Sequence, residues 1–120
     1  MNERQTQKIE ELRAVFRHMA MTVDEQAEQL GLPRSTAHAV LRRHYKHSGL
    51  SAAVIARMLA SPHLPAMARI VLYEYTAEKM KGLYGHSAAQ RRRFRVALTQ
   101  NGEHYERTRT EKAAPYYFHR

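Results

Sequence analysis

Residues Leu30–His44 read LGLPRSTAHAVLRRH. Glycine tolerates the left-handed backbone in which helices end, and proline's fixed φ and missing N–H suit the first residue of a new helix. Gly31 and Pro33 therefore close one helix and open another. Past the turn, small and apolar residues (Ala37, Ala39, Val40, Leu41) alternate with cations and hydroxyls (Arg34, Ser35, Thr36, His38, Arg42, Arg43). That pattern predicts a helix over 33–45 with one face for packing and one for a partner.

The helix before the turn is short. It starts at Thr22-Val23-Asp24-Glu25, a capping box in which the Thr hydroxyl and the Glu carboxylate satisfy two free backbone donors. Two short helices joined by a glycine turn are the elements of a helix-turn-helix, here over 22–45. Ala27 supplies the small residue a close crossing needs, and Leu30, Leu32, Ala37, Val40 and Leu41 supply apolar contacts to lock it.

Charge agrees with this. Twenty Lys and Arg against eleven Asp and Glu give +9 over 120 residues. Residues 1–60 hold nine basic and six acidic side chains, and residues 61–120 hold eleven and five. Such an excess is the footprint of a polyanion binder. The chain has no cysteine, which excludes disulfides, thiolate zinc sites and a thiol nucleophile. The charged opening MNERQTQKIEELR lacks the apolar core of a signal peptide, and no run approaches the roughly 18 apolar residues of a membrane span. The expectation is a soluble cytoplasmic protein with no membrane partner.

The rest of the chain also reads as helix. Ile9, Leu12, Phe16 and Met19 form an apolar stripe over 3–19, and Ser51 caps a helix through Leu59. Residues 62–84 suit a long apolar helix for dimerisation. Residues 88–102 read as a helix stopped by Gly102. The alternative there is a small β-hairpin over 93–110, since Phe94, Val96 and Leu98 alternate and Asn101-Gly102 is a hairpin signal. Residues 103–120 read as a polar and aromatic tail. The fold class expected is all-α, one DNA-binding domain over 1–102 built on a three-helix core.

On the helix at 33–45, Arg34, Ser35, Thr36, His38, Ala39, Arg42 and Arg43 are the candidate DNA-contacting residues. Arg pairs with guanine, hydroxyls and imidazole bond to base edges or phosphates, and an Ala methyl meets thymine. Thr22, at a helix N-terminus, suits a phosphate. Arg91, Arg92 and Arg93 are either a solvated face or phosphate grips beside that helix. Tyr73, Tyr75, Tyr84 and Phe94 suit packing better than base stacking. Among eight histidines, His44 and His47 are three apart, but His38 falls on another face and no carboxylate adjoins them, so no metal is expected. No cofactor is expected either. No phosphate loop, carboxylate pair or nucleophile elbow is present, so the chain does not read as an enzyme.

The segment MTVDEQAEQLGLPRSTAHAVLRR, residues 21–43, resembles the helix-turn-helix of bacterial transcriptional regulators of the IclR type, whose recognition segment similarly reads Gly-Leu-Pro-basic-Ser-Thr-(Ala/Val)-His. The resemblance implies recognition-helix roles for Arg34, Ser35, Thr36, His38 and Arg42. It does not extend to that family's β-hairpin wing or effector domain, since YKHSGLSAAVIARML reads as helix. The function expected is a transcriptional regulator, a dimeric autorepressor of phage or plasmid type, with double-stranded DNA, a second copy of the chain and RNA polymerase as partners. The alternatives are a DNA-binding accessory protein of recombination, replication or partition, an RNA-binding protein, or a helical protein-interaction module.

Overall fold

The computed structural model describes residues 2–42 and 49–118, with side chains as far as residue 106. The regular elements among them are all helices: α1 Glu3–Arg17, α2 Val23–Leu30, α3 Arg34–Arg42, α4 Ala52–Leu59, α5 Ala66–Met80 and α6 Ala88–Phe118. None of them is long and apolar enough to cross a membrane.

α1 is capped by Asn2, whose side chain accepts from the Gln5 N–H at 2.9 Å. Its three-and-four spacing buries Ile9, Leu12 and Phe16 as one stripe. α5 lies antiparallel beside it. Asn2 donates to the Leu83 carbonyl at 3.0 Å, Arg4 forks onto Glu78 with two bonds of 3.2 Å, and Lys8 reaches Glu74 at 3.3 Å. At the other end of α1, Arg13 Nε donates to the Val40 carbonyl at 2.9 Å and so holds α3.

The turn between α2 and α3 is closed by the chain's own donors. Gly31 has φ 69° and ends α2 in the left-handed conformation. Its N–H donates to Glu28 O and the Leu32 N–H to Ala27 O, both at 3.1 Å. This is the Schellman pair of bonds, and Ala27 and Leu32 are both buried beside it. Ser61 then donates to the Gln29 carbonyl at 2.7 Å, which fixes this turn against the connector between α4 and α5.

Ser51 caps α4 by accepting from the Val54 N–H at 3.2 Å. Arg69, on α5, donates to the carbonyls of Leu59 and Ser61 at 2.9 and 3.2 Å and so caps the end of α4. α5 starts after Pro65 and ends at Met80, inside the 62–84 expected for it. α4, α5 and α6 pack together, while α3 packs on α1 and α2.

The region around residues 93–110 is helical, and no hairpin forms there. Ser87 and Gln90 make a reciprocal capping pair, with bonds of 3.1 and 2.8 Å, that starts α6. Phe94 is buried, and Ala97 and Leu98 pack against the core from the same face. Gly102 does not stop the helix, and the stretch expected to be a tail continues it to Phe118. A type I′ hairpin turn would need positive φ at both Asn101 and Gly102, and neither has it. A single glycine weakens a helix by about 1 kcal/mol, which packing on one side readily outweighs.

Candidate nucleic-acid interface

A helix turns by about 100° per residue, so α3 sorts its side chains by position. Ala37 and Val40 are buried against α1 and α2. Arg34, Ser35 and Arg42 are exposed, His38 and Ala39 half-buried, and the five share the opposite arc. Thr36 does not join them. Its position falls beside Val40, on the packing side, and it is half-buried. Arg43, with His44 and His47, lies outside the described residues.

Arg34 has a resident partner. Its Nε lies 3.3 Å from Asp24 Oδ1, with both side chains mostly exposed. Such a pair contributes little to stability, and a stronger anion displaces it readily. Arg42 borders a cleft of about 230 Å³ whose other walls include Arg13, Arg17, Met21 and Leu41. Arg13 and Arg17 share Glu10, at 2.6 and 3.4 Å, and the two arginines hold its carboxyl below the usual range. The sequence reading passed over these two cations. Their spacing of four on the last turns of α1, where a helix favours positive charge, was the available signal.

Thr22 is exposed at the start of α2, but the capping box uses two of the donors a phosphate needs. Glu25 N–H donates to the Thr22 hydroxyl at 3.2 Å, and Thr22 N–H donates to the Glu25 carboxylate at 3.1 Å. That second bond holds the Glu25 carboxyl in its charged form, below its usual range. With Asp24 beside it, this helix start carries two negative charges.

The arginine run on α6 divides. Arg91 is half-buried and donates from Nη1 to the Met80 carbonyl at 3.2 Å, capping α5. It lies flat against Gly82, where an added Cβ would sit 3.3 Å from its guanidinium carbon. Arg91 is therefore a clamp between α5 and α6. Arg92, Arg93 and Arg95 are exposed and make no ion pair with any described residue. These arginines are not beside α3. They stand at the Met80 end of α5, while the α2–α3 turn rests on Ser61 just before its other end. A fifteen-residue helix separates the two by about 20 Å.

Of the four aromatic residues read as packing residues, three are core and one is not. Tyr75, Tyr84 and Phe94 are buried, and Tyr73 is exposed on α5 with Met67 and Ile70. Among the described residues no three His, Asp or Glu side chains converge on a common point. No family model, curated protein or solved structure matches this chain.

Proposed function

We propose that the protein is a sequence-specific double-stranded DNA-binding transcriptional regulator, a dimeric autorepressor that reads the major groove with α3. The observation that carries this reading is the division of α3. Ala37 and Val40 anchor one side, and Arg34, Ser35, His38, Ala39 and Arg42 stand together on the other. A helix held this firmly and cationic on its free side has the form that enters a major groove. Arg34 and Arg42 carry bidentate forks suited to guanine, and Ala39 a methyl suited to thymine. The net charge of +9 supports backbone affinity, and the apolar surface of Met67, Ile70 and Tyr73 on α5 supports a second copy.

Selection from random double-stranded DNA at about 150 mM salt tests this. The expected result is an enriched palindrome with half-sites about one helical turn apart. Arg34→Ala with Arg42→Ala then relaxes base preference by about 1–3 kcal/mol at the contacted positions. A pool that holds DNA without any enriched motif overturns sequence reading, and a pool that holds none overturns DNA binding. Where the enriched sites fall, at promoters or at recombination and partition loci, separates a regulator from an accessory protein.

A further inference from the structure

Arg92, Arg93 and Arg95 form a second cationic surface, and its position carries a consequence. α3 packs on α1 and α2, and α6 packs on α4 and α5, so the free faces of these helices look out from different flanks. The α2–α3 turn and the arginines also stand at opposite ends of α5, about 20 Å apart. Arg91, fixed to the Met80 carbonyl, anchors this part of α6 on the body. Arg91, Arg92 and Arg95 line a cleft of about 210 Å³ with Met80 and Ala88. No acidic residue occurs between Glu78 and Glu103, and Glu78 is already bonded to Arg4 and Tyr84. The surface therefore offers, on a rigid support, three guanidinium groups that no described residue neutralises.

We infer that this surface takes the phosphate backbone of a second DNA duplex, so that one molecule bridges two duplexes, α3 on one and the start of α6 on the other. The inference rests on the reading of α3 as a duplex-binding helix. Charge complementarity selects the occupant. Arginines bind phosphate oxygens, and the release of condensed counterions drives that binding whatever the sequence.

The test is a two-duplex capture with the full chain. A biotinylated duplex is fixed to beads, protein is added at about 150 mM salt, and retention of a second, fluorescent duplex is measured. Binding of a single duplex is measured alongside by anisotropy. Wild-type protein is expected to retain the second duplex. Arg92→Ala with Arg93→Ala and Arg95→Ala is expected to lower that retention about tenfold or more, to keep the base preference of α3, and to cut the salt slope of non-specific binding by about 3. All three side chains are exposed and pair with no described residue, and circular dichroism checks that the variant keeps its helices.

Single-duplex binding without retention of a second overturns bridging and leaves the reading of α3 standing. Equal retention by the triple variant also overturns it, because two copies of α3 then do the bridging. No duplex binding at all overturns both.

Discussion

The Lys79 ammonium is buried between two rings, 4.4 Å from the centre of Phe94 and 5.8 Å from that of Tyr75, with the Leu50 carbonyl at 3.4 Å. Burial pushes its pKa down from 10.5 to about 8. Below about pH 8 folded and unfolded chains both hold the proton, and the fold bears the cost of an interior charge. Between about 8 and 10.5 the folded chain releases the proton while the unfolded chain keeps it, so stability rises with pH. Tyr84 works the other way. Burial, with Glu78 nearby, pushes its hydroxyl well above the usual 10.0, so above pH 10.0 only the unfolded chain ionises and stability falls. Lys79→Met is expected to stabilise the protein by roughly 1–2 kcal/mol at pH 7, cation–π contact offsetting part of the burial cost. Urea melts at pH 7 and pH 10 check this. The gain should shrink towards zero at the higher pH, and an equal gain at both would exclude the buried charge as its cause.

At the scale of elements, α6 is the helix whose extent the sequence concealed. Its start was legible because Ser87 and Gln90 cap each other locally. Its course beyond Gly102 was not, because local glycine chemistry gives no measure of packing on α4. Gly102 is exposed, has ordinary helical φ, and an added Cβ meets nothing within 4 Å. Gly102→Ala is therefore expected to raise stability by about 0.5–1 kcal/mol, chiefly by restricting the unfolded chain. Thermal melts and helical ellipticity check this, and a loss of stability would contradict an open helical position. The extent of α2 and the start of α3 were legible almost to the residue, since capping box, turn glycine and first-turn proline all act within a few positions, while the expected end of α3 at 45 lies outside the described residues.

For the molecule as a whole, the junction at Tyr75 joins distant parts of the chain. Its hydroxyl accepts from Gln5 Nε2 at 2.7 Å and from the Leu50 N–H at 2.9 Å, tying α1, α5 and the approach to α4. Gly49 beside it has φ 85°, and an added Cβ would overlap the Gln5 amide and the Tyr75 hydroxyl. Tyr75→Phe leaves buried donors without this acceptor, and a loss of about 1–3 kcal/mol is expected. Denaturant melts measure it, and amide exchange at Leu50 should quicken as well. None of this was legible from periodicity, which marks which residues are buried but not which residues meet. The same limit concealed Arg91, whose role depends on the Met80 carbonyl and on the bare backbone of Gly82, and the Arg13 bond that steadies α3.

The pairing of α1 with α5 also bears on the order in which the chain can fold during synthesis. α1 leaves the ribosome before α5, and its bonds to Glu74, Glu78 and Leu83 wait for residues more than sixty positions later. α2 and α3 close on each other through neighbouring residues and need no such delay. A nascent chain thus holds Ile9, Leu12 and Phe16 incompletely covered until α5 emerges, and the packing of α6 on α4 and α5 closes only after that.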